Sequence, residues 1–379
     1  MIPRLLLPEI REKVVHSSKI IIIYGARQVG KTTLVKQIIA DLPYKTLSIN
    51  ADELRYINVL SSRNLTQMQL LVAGYELLFI DEAQRIPDVG INLKILHDAM
   101  PSLKIIVTGS SSFELSNQTK ESLTGRTWTF SLFPIAYSEL RQQFNSFELD
   151  QQLESLLRFG SYPEVLNLPN EQDKTRYLYE LSTAYLYKDV LEISSIKYAN
   201  KLQQLIRLLA FQVGSEVSLN ELGNALQMSK DTVGSYIDLL EKSFVVFRLS
   251  GFSRNLRKEV VKMDKIYFYD LGVRNALINN LNPLAFRNDA GQLWENFLVS
   301  ERLKNNVYQD RFVNRYFWRT YTGAEIDYIE EANGNLAGFE FKFSEKVSKA
   351  PKTWQETYPE ASFTGINRGN YADFLNVMN

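Results

Sequence analysis

Cysteine is absent from the chain. Disulfides, thiol nucleophiles and thiolate metal sites are thereby excluded, and the composition suits a reducing cytoplasm. Histidine occurs only as His16 and His97, too few for an ordinary zinc site. An excess of one charge is lacking too. The 43 Lys and Arg balance 43 Asp and Glu, so no overall field draws the protein to nucleic acid or to a membrane. No apolar run nears the roughly 18 residues of a membrane span, which argues against a membrane partner. Only Leu5-Leu6-Leu7 precedes Pro8, so no signal-peptide core is evident. A soluble, cytoplasmic protein is expected. Its 379 residues suggest two or three domains with ample material for buried cores.

What is present begins with Gly25-Ala26-Arg27-Gln28-Val29-Gly30-Lys31-Thr32, a G-x-x-x-x-G-K-T pattern. By chance it would occur in about one chain of this length in a hundred. Here it follows the apolar run Ile20–Tyr24 and precedes the helical pattern Thr33–Ile39. Strand, glycine loop, helix is the context in which this pattern cradles phosphate. Gly25 and Gly30 let successive N–H groups point inward, and the next helix adds its unsatisfied donors and positive dipole end. Lys31 is expected on the β- and γ-phosphates of ATP and Thr32 on Mg²⁺. Gly25 to Thr32, with Thr33, are the expected nucleotide contacts.

The apolar run Leu77–Ile80 ends in Asp81-Glu82, about 50 residues later. Asp81 suits the carboxylate that holds the Mg²⁺ shell, and Glu82 the group that orients the attacking water. A third strand, Lys104–Val107, runs into Thr108-Gly109-Ser110. Ser110, in preference to Thr108, is the candidate γ-phosphate sensor. These strands alternate with helical patterns such as Ile91–His97. The alternation predicts a parallel sheet covered on both faces, with nucleotide at the carboxyl ends of its strands.

GARQVGKTTL, LLFIDEAQ, VTGSSS and SLTGRTWTFSLFPIAYSEL together resemble the AAA-14-type P-loop ATPases of bacteria and archaea. Those belong to the AAA+ and STAND-like group and carry a C-terminal DUF4143 domain. The resemblance covers nearly the whole chain and implies ATP binding and slow hydrolysis to ADP. It points to Arg126 as an arginine finger or phosphate sensor, acting in its own subunit or in a neighbour's. Rings are common in the wider class, so a homo-oligomer is among the partners implied.

Beyond the core (1–140), residues 141–200 read as a helical connection. Its Tyr177–Ile193 stretch suits core packing better than base stacking. Residues 201–260 read as a winged helix-turn-helix, which DUF4143-type chains resemble at the same place. Ser218 with Glu221 has capping-box spacing, Ser229 caps the second helix, and Phe244–Leu249 forms a wing strand. The second helix exposes one base and one acid, Lys230 and Asp231, an unusual DNA reader. From Arg248 to Lys265 six basic residues (Arg248, Arg254, Arg257, Lys258, Lys262, Lys265) stand against Glu259 and Asp264. That excess could track DNA phosphates or form salt bridges between domains.

In 261–379, Glu295, Asp327 and the pair Glu340 and Lys342 resemble in order the PD-(D/E)XK nuclease fold. There two carboxylates hold Mg²⁺ and a lysine positions water. Glu340 and Lys342, two apart, project from one strand face. E-x-K alone is expected about once by chance in such a chain, and it occurs once.

The expected architecture is an α/β P-loop NTPase core with a parallel sheet and helices on both faces. A winged helix-turn-helix and an α+β nuclease-like domain follow it. The expected activity is Mg²⁺-dependent ATP hydrolysis coupled to a C-terminal domain that binds or cleaves DNA. The alternative is a STAND-like nucleotide switch with a protein partner and no nuclease activity.

Overall fold

Four isoleucines and a tyrosine, Ile20–Tyr24, form β1 with every residue buried. A strand apolar on both faces needs cover on both, which a parallel sheet flanked by helices supplies. The computed structural model describes residues 2–110, 123–193, 199–253 and 264–376, with the backbone alone for 184–193. Joining β1 are β2 (Thr46–Asn50), β3 (Leu77–Asp81), β4 (Lys104–Gly109) and β5 (Thr127–Ser131), in the order β2-β3-β4-β1-β5. All four pairings are parallel. Flanking helices include Leu6–His16, Lys31–Ala40, Leu65–Val72 and Val89–Ala99. Ile20, Ile22, Leu78, Ile80 and Val107 pack with Leu93 and Leu96 of the last helix in one apolar cluster. Tyr24 lies level with Gly109, and Ile80 with Val107. The carboxyl ends of β1, β3 and β4 therefore open together, where such sheets place a ligand.

The chain divides into two compact units. One comprises the residues up to Pro134 plus Lys242–Phe244, the other most of the chain from Ile135 onward. The second unit holds a mixed seven-stranded sheet in the order β12-β11-β10-β9-β7-β8-β6. Its strands are β6 (Glu216–Val217), β7 (Val246–Gly251), β8 (Asp264–Phe268), β9 (Asn314–Arg319), β10 (Glu325–Ala332), β11 (Asn335–Phe341) and β12 (Ser362–Ile366). Segments 201–260 and 261–379 thus share one sheet, joined where Ser250 and Gly251 of β7 pair in parallel with Tyr316 and Phe317 of β9. The pairing satisfies a strand edge that would otherwise stay open. The helix pair Leu219–Leu226 and Lys230–Lys242 forms as its caps predict. Ser218 Oγ accepts from Glu221 N at 3.3 Å, and Ser229 Oγ from Thr232 N at 3.1 Å. Among the described residues no helix is long and apolar enough to cross a membrane.

Helix Ala290–Tyr308 is buried along most of its length, polar residues included. Each buried polar side chain needs a partner, because water is not there to supply one. Asn296 accepts from Phe268 N at 2.8 Å and donates to Phe268 O at 2.9 Å, fastening the helix to β8. Lys304 Nζ reaches Glu301 Oε1 at 2.7 Å, and Glu301 Oε2 accepts from Tyr137 N at 2.6 Å. At the helix start Asp289 accepts from Arg287 at 2.8 Å and from Arg274 at 2.5 Å. Burial alone would raise the Asp289 carboxyl, but the two guanidinium groups outweigh it and hold its pKa at about 2. Because this lies below the ordinary 3.8, the stabilisation is complete above pH 3.8 and is lost as pH falls towards 2. It amounts to about 2 kcal/mol. Asp289→Asn is therefore expected to lower the urea midpoint of the second unit at pH 6 and to flatten its acid limb. Melts at pH 6 and pH 2.5 check this.

Candidate functional site

The loop after β1 is shaped by what its glycines permit. Gly30 holds φ at 98°, a conformation L side chains rarely adopt, and a Cβ on Gly25 would lie 2.2 Å from the Leu132 carbonyl oxygen. Ala26 and Val29 are buried, while Gln28 and Thr33 are exposed. Lys31 is only 4% exposed. Its Nζ donates to the carbonyls of Gly25 and Ala26, both at 2.9 Å, so the ammonium is held under the loop where phosphate oxygens would meet it. Arg4 braces the same loop by donating to Val29 O and Phe133 O, each at 2.7 Å. No sequence pattern marks Arg4, since the contacts come from positions 25 and 129 residues away.

Thr32 and Asp81 meet. Thr32 Oγ1 donates to Asp81 Oδ2 at 2.8 Å, and Thr108 Oγ1 donates to Asp81 Oδ1. A hydroxyl and a carboxylate in contact suit Mg²⁺ bound with a nucleotide, since that ion takes one or two protein ligands and fills its octahedron with phosphate and water. Glu82 follows in the left-handed region, at φ 54°, which turns it off the strand axis. Gln84, the last residue of LLFIDEAQ, donates through Nε2 to Glu82 Oε2 at 2.5 Å and to Ser110 Oγ at 2.9 Å. Of the hydroxyls weighed at the end of β4, Thr108 is thus tied to Asp81 and Ser110 to Gln84. The structure brings Lys31, Thr32, Asp81, Glu82 and Ser110 to one end of the sheet.

Arg126 stands elsewhere. Its carbonyl accepts from Ile20 N at 2.9 Å, at the amino end of β1. The phosphate loop leaves the other end, about 16 Å away at roughly 3.3 Å per residue. The guanidinium donates to both oxygens of Asp98, at 2.8 and 3.1 Å. This hydrogen-bonded pairing raises the Arg126 pKa and lowers that of Asp98. Arg126, expected as an arginine finger or phosphate sensor in its own subunit or a neighbour's, thus stands at the opposite end of β1 from the phosphate loop. An arginine just before a strand parallel to β1 starts at the wrong end of the sheet.

In the second unit Asp327 lies on β10 and Glu340 on β11, whose register (Tyr328 opposite Phe339) continues to set them opposite each other. Asp327 Oδ2 accepts from Phe341 N at 2.7 Å, and Glu340 Oε1 accepts from Lys342 Nζ at 2.6 Å. Glu295 accepts from Tyr267 OH at 2.6 Å and from Lys265 Nζ at 3.3 Å. Burial raises the Asp327 pKa well above the usual range, and the charges of Glu295 and Glu340 add to it. The four residues are neighbours, as their order suggested. Yet among the described residues no group of three or more His, Asp or Glu side chains is disposed to hold a metal ion.

The basic run is also reassigned in part. Arg248 pairs with Asp238 at 2.6 Å and Glu241 at 2.5 Å, and Lys265 is 3% exposed among carboxylates. Neither is available to track phosphates. Arg254, Arg257, Lys258 and Lys262 lie outside the described residues.

Residues 17–141 match the family model AAA_14, an AAA domain. Residues 150–284 and 290–370 match two domains of unknown function, DUF8612 and DUF4143. An uncharacterized protein of Mycobacterium tuberculosis is 28% identical over 335 residues, covering 87% of this chain and 71% of its own. One from Methanocaldococcus jannaschii is 26% identical over 332 residues, covering 82% and 72%. Among solved structures, a Walker-type ATPase of Pyrococcus abyssi superposes with a TM-score of 0.51 at 15% identity, covering 73% of this chain and 96% of that one. At that identity the likeness bears on the fold alone. With a parallel core sheet, a phosphate-type loop at its carboxyl edge and these matches, the chain carries an AAA_14-type P-loop ATPase core followed by a C-terminal DUF4143 domain.

Proposed function

We propose that the first unit binds Mg²⁺-ATP at Gly25–Thr33 and hydrolyses it, and that the nucleotide state is coupled to the second unit. The observation that carries this is the contact between Thr32 and Asp81 at 2.8 Å, which joins the loop after β1 to the end of β3. Lys31 leaves the Gly25 and Ala26 carbonyls to meet the β- and γ-phosphates. Loop N–H groups and the start of helix Lys31–Ala40 hold the remaining oxygens. Thr32 and Asp81 would hold Mg²⁺ with the nucleotide, and the ion would supply positive charge to offset that of the phosphate oxygens. Glu82 orients the attacking water, and Ser110 faces the γ-phosphate.

A second reading, a slow nucleotide switch with a protein partner, is favoured by Gln84. Its amide occupies Glu82 and Ser110 together, so Glu82 must be released before it can hold water. The helix pair Leu219–Leu226 and Lys230–Lys242, with hairpin β7–β8 after it, supports the winged helix-turn-helix reading. Its exposed Lys230, Asp231 and Ser235 carry no net charge, which favours a protein surface over a phosphate backbone.

Glu82→Gln tests the hydrolytic role. It is expected to keep ATP affinity within a few-fold and to lower turnover by about a hundredfold or more. Calorimetric binding and phosphate release measure the two. Undiminished turnover would remove Glu82 from the mechanism.

A further inference from the structure

The carboxylates that line up with a nuclease pattern surround a cation that the chain itself supplies. Lys265 Nζ lies 2.7 Å from Glu325 Oε1 and 3.3 Å from Glu295 Oε1. Its ammonium also sits 5.2 Å from the Phe317 ring centroid. Neither Lys265 nor Glu325 belongs to the E, D, E-x-K pattern. We infer that Lys265 is the resident counter-ion of this cluster and takes the place of a divalent cation, so that the second unit is built to work without metal.

The backbone makes Lys265 hard to displace. It sits on β8 between two neighbours, paired with Glu216 of β6 on one side and Leu249 of β7 on the other. At 3% exposure, its ammonium would need to find another counter-charge or reach water if a metal entered, at a cost of several kcal/mol. Burial alone would lower the Lys265 pKa. The carboxylates of Glu295, Glu325 and Asp327 outweigh it and keep the group charged above the ordinary lysine range. One oxygen each of Asp327 and Glu340 is engaged as well. Asp327 accepts from the backbone of β11, and Glu340 Oε1 is held by Lys342. Among the described carboxylates of the cluster, Glu340 Oε2 is buried without a hydrogen-bond partner, and the Lys265 ammonium already supplies the cluster's counter-charge. A monovalent ammonium on a strand neither polarises a phosphoryl oxygen as Mg²⁺ does nor lowers the pKa of a bound water.

The test titrates Mn²⁺ into the nucleotide-free full-length protein, read by the loss of free-ion paramagnetic resonance signal. Wild type and Asp327→Asn are expected to give superimposable curves. Lys265→Ala, which removes the cation and leaves its carboxylates, is expected to bind one additional Mn²⁺ per chain and to gain melting temperature from it. Lys265→Arg, which keeps the charge, is expected to behave as wild type. A Mn²⁺ site in wild type that disappears in Asp327→Asn would overturn the inference. So would a folded Lys265→Ala that binds no more than wild type. If Lys265→Ala does not fold, the comparison of wild type with Asp327→Asn decides by itself.

Discussion

Replacing Lys31 by alanine is expected to weaken ATP binding about a hundredfold and to remove measurable hydrolysis. A charge-assisted contact to phosphate contributes about 1.5–3 kcal/mol, and each 1.4 kcal/mol is tenfold in affinity. Lys31 adds a second effect. Its ammonium bridges the carbonyls of Gly25 and Ala26, so its loss also leaves two loop carbonyls under-satisfied. The loop should keep its path nonetheless, because Arg4 still grips Val29 and Phe133. Calorimetry with ATP and with ADP measures the loss. Unchanged circular dichroism separates it from unfolding. Unaltered affinity in a folded Lys31→Ala would overturn the nucleotide site itself.

The second large effect concerns stability. Arg302, 2% exposed on the buried helix of the second unit, donates to both oxygens of Glu330 at 2.8 and 2.6 Å and to Phe374 O at 2.7 Å. Asn306 adds a donor to Glu330 at 2.6 Å. Burial alone would raise the Glu330 pKa, but Arg302 and Asn306 outweigh it and keep the carboxyl below the ordinary range. Arg302→Ala strands that charge and is expected to cost about 3–5 kcal/mol. The double variant Arg302→Met with Glu330→Leu, which removes both charges and restores volume, is expected to recover most of the loss. Urea midpoints of the wild type and the two variants read this directly. A single variant as stable as wild type would show that the pair is not energetically coupled.

The proposed nucleotide site was legible because its chemistry is local. Gly25, Gly30, Lys31 and Thr32 lie within eight residues, and the apolar run before them announces a buried strand. Asp81 and Ser110 were legible as ends of similar runs. The place of Arg126 was not legible, because an arginine after a glycine says nothing about strand direction, and β5 enters the sheet from the far end. Arg4 carries no motif, and Gln84 stood in LLFIDEAQ without an assigned role. Each matters through a backbone or side chain brought to it by folding.

In the second unit the alternation of β10 and β11 made Asp327, Glu340 and Lys342 visible, but their use was not. A sequence lists which side chains alternate along a strand and leaves open which charge the neighbouring strand supplies. By itself the sequence determined that the chain holds a phosphate loop, its strand and helix, and the acidic strand end that accompanies it, because these depend on short-range periodicity and glycine geometry. Only the tertiary structure decided that Arg126 pairs with Asp98 at the amino end of β1 and that Lys265 lies among the carboxylates. Both outcomes depend on which strands become neighbours, and strand order is set by the packing of the whole sheet.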